Sequence, residues 1–328
     1  MYTKRNYGFW MTFYWSKTPF ILGVIYGTVI CMGSYFSGVH VSIPWSPITV
    51  MGIAVAFYLG FKNNSSYDRT WEARKIWGSI VNNSRTFGAA VMAFVNSNNR
   101  EVIQKELIYR HIAWLTALRH QLRLPKPWEH IENRASGYNA PNVMEDYHAK
   151  FDNIICDFIP KKEVEEIDKS ANKATQILRI QSQRLQELRD QGVFEDFRHM
   201  EFHHLISSFY EEQGKSERIK TFPFPRQYAS TALWMTVVFA FFVPFGLIDT
   251  FESVSGWKFW LCPFLNGLIT WMFFLMEKIG DYSENPFEGT YNDVPISAIS
   301  RTIEIDLREM LNDTNIPEPV KEENGFLM

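Results

Sequence analysis

The chain has 328 residues, a formal net charge of −3, 16% aromatic and 21% charged residues, and three cysteines. That balance excludes a disordered chain, a disulfide-stapled mini-protein and a broadly basic nucleic-acid binder. Its charge is segregated: residues 18–61 hold no Asp, Glu, Lys or Arg, so the chain is read as a membrane protein with a soluble middle.

The N-terminal stretch MYTKRNYGFWMTFYWSK is basic and aromatic with no small-residue cleavage site, and it does not read as a secretory signal. A spanning helix needs about 20 mostly apolar residues, and 18–61 is long enough for two. Gly38, Pro44 and Pro47 interrupt it, which predicts a helical hairpin with spans over 19–36 and 46–61. A second hairpin is expected over 227–248 and 259–276, joined by DTFESVSGWK. Pro244 and Pro263 fall at its spans, where proline marks bends rather than breaks. Lys4, Arg5, Lys17, Lys62, Arg69, Arg74, Lys75, Arg226 and Lys278 flank the spans on one side, against Lys258 alone on the other. The positive-inside bias puts both termini and the middle segment in the cytoplasm, in a plasma (inner) membrane. The expected units are 1–62, the N-terminal segment and first hairpin; 63–225, a cytoplasmic helical region; 226–278, the second hairpin; and 279–328, a C-terminal segment and extended tail.

The middle is polar but periodic. No turn signal separates 46–61 from the stretch that follows, so this helix is expected to continue into the cytoplasm, with Trp71, Lys75 and Gly78 on one face and Ile76, Ile80 and Phe87 around another. A helix is predicted over 100–123, followed by interrupted pieces over 137–160. Val164, Ile167, Ala171, Ala174, Leu178, Gln181, Leu185 and Leu188 alternate by three and four, the seam of one long helix ended by Gly192. A further helix is expected over 194–212. His199, His203 and His204 lie there beside Glu195, Asp196 and Glu201. They make neither HExxH nor any other catalytic motif, and a structural or solvated role is expected. The last 17 residues, rich in Pro, Glu and Asn, read as an extended tail or an arm on a neighbouring subunit.

The unusual element is 46–61 with its exit. Ile53, Phe57 and Phe61 lie on one helix face, with Gly52, Ala54, Ala56 and Gly60 leaving other parts thin. Spacing alone does not choose among a lipid-facing, a core-packed and a pore-facing stripe. No charge falls inside a span, and the two hairpins lack the look of inverted repeats. A transporter, or a membrane-anchored scaffold or enzyme using the cytosolic helices, is the competing reading.

The stretch AFYLGFKNNSSYDRTWEARKIWGSIVNNSR closely resembles the defining segment of the bestrophin family, including its bacterial branch. ENPFEGTYNDVPISAISRTIEIDL is similar to the family's asparagine-proline-phenylalanine-glycine stretch after the last span. The resemblance runs to about residue 315 and implies an all-α, four-span membrane protein with a large helical cytoplasmic region, assembled as a homopentamer around an axial pore. It implies a passive, non-enzymatic channel for monovalent ions that needs no cofactor. Its neck would be Ile53, Phe57 and Phe61, with a cytoplasmic aperture at Phe197, or at Phe194 or Val193. Asn63, Asn64 and Asp68 are vestibule candidates, and Asn285, Pro286, Phe287 and Asp293 a structural link after the last span. Animal members carry a calcium clasp there; only Glu288 and Asp293 are acidic here, so no calcium dependence is expected. Family members differ between anions and cations, and the sequence leaves that choice open.

Overall fold

A computed structural model describes residues 1–37, 41–130, 155–251 and 256–328. Nine α-helices are named among them, four of which are long and apolar enough to cross a membrane. In chain order these are α1 Phe9–Ser37, α2 Trp45–Phe94, α3 Arg100–Arg123, α4 Lys161–Asp168, α5 Lys173–Asp190, α6 Asp196–Thr221, α7 Arg226–Phe251, α8 Cys262–Asp281 and α9 Ile296–Met310, with a 3-10 turn, Gly256–Leu261, before α8. The membrane candidates are α1, α2, α7 and α8 with the turn before it.

α1 begins ten residues before the expected span, because an aromatic run precedes the apolar stretch and Pro19 between them is accommodated inside the helix. The prolines that break the first apolar run do so at no hydrogen-bond cost. Pro44 is the N-cap of α2 and Pro47 lies in its first turn, where the amide groups have no intrahelical acceptor. Beyond Pro47, α2 contains no further proline and runs for 50 residues, about 75 Å at the usual rise. The candidate membrane span and the polar helix that follows it are therefore one rod.

Two cores flank that rod. In the apolar half, Val55 and Leu59 of α2 pack with Ala232 and Phe239 of α7 and Cys262 of α8. Small residues let α1 and α8 approach closely, and Asn266 Nδ2 donates to the Gly23 carbonyl at 2.6 Å. In the polar half, Trp77 and Phe87 of α2 join Trp114 of α3 and Phe202 and Phe209 of α6 in one buried cluster.

The predicted heptad helix is two helices. Asn172 caps α5 by accepting the Thr175 amide at 3.0 Å, and Asp168 closes α4. Seven of the eight seam residues are buried and Ala171, at the break, is exposed. Gly192 does end α5, at φ +74°. α6 extends well past residue 212, to Thr221. The C-terminal segment returns to its own chain: Tyr2 bridges Phe326, and Ala298 donates its amide to the Met328 carbonyl at 2.8 Å. The expected pieces over 137–160 lie mostly outside the described residues, which resume at Ile155.

Candidate pore stripe and its mount

One face of α2 is left uncovered along most of its length. Val50, Ile53, Phe57 and Phe61 are 57–67% exposed, while Gly52, Val55, Leu59 and Lys62 on the other side are buried. The Phe57 and Phe61 rings meet edge to face at 4.6 Å. The line continues by alternating steps of three and four through Asn64, Asp68, Trp71, Lys75, Gly78, Asn82 and Arg85, all exposed. Spacing near 3.5 keeps such residues on one line of a nearly straight helix. Asn63 is turned off it, half-buried, beside a shallow cavity of about 240 Å³ with Gly280 and Ser283. Of the three aperture candidates only Phe197 is exposed; Val193 and Phe194 are core residues.

Immediately below Phe61 the opposite face of α2 is bolted down. Lys62 is 2% exposed and donates to Glu277 at 2.8 Å, with Asp281 at 3.8 Å. The next turns donate side-chain hydrogen bonds to backbone carbonyls: Ser66 to Gly280 at 2.9 Å, Thr70 to Ser283 at 3.0 Å and Arg69 to Glu284 at 2.8 Å. α2 is thus tied to the end of α8 and the turn after it.

That turn is buried from Glu284 to Tyr291, and its carboxylates are met by cations from the polar helical body. Arg123, the last residue of α3, donates to Asp293 Oδ2 at 2.7 Å and to the Val294 carbonyl at 3.3 Å. The Gly289 amide and the Thr290 hydroxyl also donate to Asp293, at 2.5 and 2.8 Å. Glu288 accepts from Asn285 at 3.2 Å and faces His130 Nδ1 at 3.3 Å, while His130 Nε2 lies 2.8 Å from Asp281. Burial opposes a charge on His130, but Asp281 and Glu288 outweigh it and its pKa is pushed up to about 10. Pro286 closes the turn by accepting the Val294 amide at 3.1 Å, and Phe287 sits in the cytosolic core.

These residues do not fit a calcium ion, which takes six to eight oxygen ligands. The lone pairs of Asp293 and Glu288 already serve a guanidinium, an imidazole, an amide side chain, a hydroxyl and a backbone amide. His203 and His204 are exposed and His199 stacks on Phe194. Among the described residues no three His, Cys, Asp or Glu side chains group as a metal site.

Lys62, Glu277, Asp281, Arg123 and His130 escaped the sequence reading as site residues. Lys62 counted only as an orienting charge at a membrane edge. The available signal was that it follows Phe61 directly on a helix whose next turns hold Ser66, Arg69 and Thr70.

Fold and site together define a membrane protein whose described residues are nearly all helical, with four candidate spans and an exposed stripe along its longest helix. The chain belongs to the bestrophin family: residues 17–309 match the family model described as bacterial/fungal bestrophin protein. It is 25% identical to an Escherichia coli protein named "voltage-dependent anion channel-forming protein" over 89% of this chain and 85% of that one. A protein of the same designation from Mesorhizobium japonicum is 26% identical over 82% of this chain and 75% of its own. The crystal structure of a bestrophin homologue from Klebsiella pneumoniae has the same fold, with a TM-score of 0.75 at 22% identity, covering 90% of this chain and 98% of that one.

Proposed function

We propose that this protein is a passive ion channel of the inner membrane, a homopentamer in which five α2 helices surround one pore. The observation that carries the reading is the continuity of the α2 stripe. A face made for lipid would end at the membrane edge, yet this one runs on past Asp68 and Trp71, where no lipid covers it. A central axis shared by identical subunits gives the whole line one environment.

Rings of Ile53, Phe57 and Phe61 form the neck. Such rings offer no ligand to replace an ion's hydration shell, so they gate by width and dewetting. Asn64 and Asp68 line the vestibule below, with Asn63 behind them, and Phe197 lines the cytoplasmic aperture. Both termini lie on the cytoplasmic side, following the positive flanks of the spans. The conducted species are monovalent ions. The names of the relatives favour anions, whereas the net charge of −3 leans towards cations. No cofactor and no calcium enter the mechanism, in keeping with the internal cations around Asp293 and Glu288. A transporter or anchored enzyme is disfavoured, since of the histidines on which it would depend His203 and His204 are solvated on α6 and His199 stacks on Phe194.

The test is current through purified protein in planar bilayers under an asymmetric salt gradient, where the sign of the reversal potential identifies the ion. Phe57→Ala, which removes the ring nearest the middle of the neck, is expected to raise conductance or abolish closure while the oligomer stays intact. Unchanged current in Phe57→Ala, or silent well-formed oligomers under every gradient, refutes the pore assignment.

A further inference from the structure

A cavity of about 340 Å³ opens between α1, α7 and α8. All three helices are candidate spans, and no residue that lines the cavity is charged. Its apolar walls are Leu22, Val237, Ala240, Phe241 and Phe274. Tyr26 ties α1 to α7 beside it, donating its hydroxyl to the Phe241 carbonyl at 3.1 Å. The space is more than twice the roughly 150 Å³ of an apolar cavity that holds benzene.

One polar atom at this cavity is unsatisfied. Thr270 is 6% exposed and lines the space, and its Oγ1 is buried with no hydrogen-bond partner among the described residues. Four other span threonines behave differently. Thr28, Thr49, Thr236 and Thr250 each donate to the carbonyl four residues back, at 2.8, 3.1, 2.8 and 2.9 Å, the usual way a helical hydroxyl is satisfied in lipid. Thr270 Oγ1 instead lies over the bare Cα of Gly23, 3.2 Å from where a Cβ would stand. An unpaired hydroxyl in hydrocarbon is costly, so the cavity is fitted to a guest that supplies the missing bond.

The depth of this hydroxyl selects the guest. Lys278 Nζ donates to the Trp15 carbonyl at 2.7 Å, which marks a polar edge shared by α1 and α8. Gly23 and Thr270 each lie eight residues beyond that edge, about 12 Å along the helices and well inside a hydrocarbon layer about 30 Å thick. The phosphate and ester oxygens of a phospholipid stay at the edge, so its acyl chain would fill the space and leave the hydroxyl unpaired. We propose that the cavity binds an uncharged single-chain amphiphile dissolved in the bilayer, a hydrocarbon body whose one hydroxyl pairs with Thr270 Oγ1. The site requires α1, α7 and α8 to lie in the membrane and is independent of conduction.

The experiment uses the full-length protein in vesicles of phosphatidylethanolamine and phosphatidylglycerol, labelled with the photoreactive alcohol 3-azioctanol and mapped by peptide mass spectrometry. Adducts are expected on Leu22, Tyr26, Phe241 and Phe274, suppressed by excess n-octanol and much less by octane at the same membrane concentration. Thr270→Val keeps the side chain's shape and is expected to lower labelling there about fivefold, the factor carried by one neutral hydrogen bond, with Tm unchanged. Ala240→Phe fills the space and is expected to abolish labelling. Adducts spread over the spans in proportion to exposure overturn the proposal, as does equal suppression by octane or undiminished labelling of Thr270→Val, the marks of a plain acyl-chain groove. No adduct at these residues in the vesicle-embedded protein, the result if a second copy covers the cavity, also overturns it. A silent channel leaves the labelling readout intact, so failure of the pore reading and failure of this site are separate results.

Discussion

Arg123 and Asp293 form the most deeply buried ion pair at the junction between the candidate spans and the polar helical body, at 0% and 1% side-chain exposure and 2.7 Å. Arg123→Met keeps most of the side chain's length and removes its charge. Asp293 then retains two hydrogen bonds, from the Gly289 amide and the Thr290 hydroxyl, but loses the guanidinium paired with it, and burial drives it towards protonation. Breaking a buried pair from one side costs about 3–5 kcal/mol, and the lost bond to Val294 adds roughly 1 kcal/mol. Proton uptake by Asp293 offsets part of this, leaving about 3–4 kcal/mol, or roughly 4–6 °C in Tm for a chain of this size. Asp293→Asn alone strands the guanidinium and is expected to cost a similar amount. The double variant buries two neutral groups and is expected to recover about 2 kcal/mol or more relative to the sum of the singles. Thermal scans at one fixed rate, followed by tryptophan fluorescence in detergent, rank the three variants even where unfolding is irreversible. Additive losses, or a shift below about 1 °C in Arg123→Met, refute the view that this pair holds the junction.

Two further outcomes follow from the same junction. His130 has a folded pKa of about 10, above its ordinary 6.5, so its contribution is fully present below about pH 6.5 and is lost as pH rises through about 10. That contribution is on the order of a few kcal/mol, and a pH series of thermal scans is expected to show a falling limb from pH 7 to 10 that His130→Gln flattens. Lys62→Met leaves Glu277 and Asp281 without the buried ammonium that joins them to α2. It is expected to destabilise by about 3 kcal/mol and to alter the closed-state current in bilayers, whereas a variant with wild-type Tm and current excludes Lys62 as the bolt behind the neck.

Local chemistry made most of the elements legible. The charge-free run 18–61, the breaker GVHVSIPWSP and the polar flanks located the spans, because the bilayer imposes a length and a polarity that few other environments impose. α3 matches its expected range, since a hydrophobic period ends at a Leu-Pro-Lys-Pro run. The seam from Val164 to Leu188 predicted the buried residues correctly but merged two helices. A heptad count does not register a capping side chain, and Asn172 breaks the helix while costing the seam only one position. The stripe residues Ile53, Phe57 and Phe61 were legible as a face, and the solvent-exposed continuation through Asn64, Asp68 and Trp71 became visible only when α2 proved unbroken to Phe94. The mount behind them was not legible at all. Lys62–Glu277, Ser66–Gly280 and Arg123–Asp293 join positions separated by 170–215 residues, and neither periodicity nor spacing encodes such contacts.

In the channel proposed above, the physical consequence of the mount is that the neck is not independent of the polar helical body. Phe61 precedes Lys62 by one residue on a helix that continues through the buried core at Trp77 and Phe87, so a rotation or tilt of α2 at the neck has to be accommodated by that core. The hydrogen bonds of Ser66, Arg69 and Thr70 go to backbone carbonyls of Gly280, Ser283 and Glu284, which fixes α2 to the turn whichever side chains that turn carries. The turn in turn is held by Arg123 and His130 from the cytosolic side. A change in the polar helices is therefore transmitted to the stripe of Ile53, Phe57 and Phe61 through one continuous helix and its anchors. A hydrophobic constriction suits this coupling, because dewetting converts a small change in width into a large change in conduction.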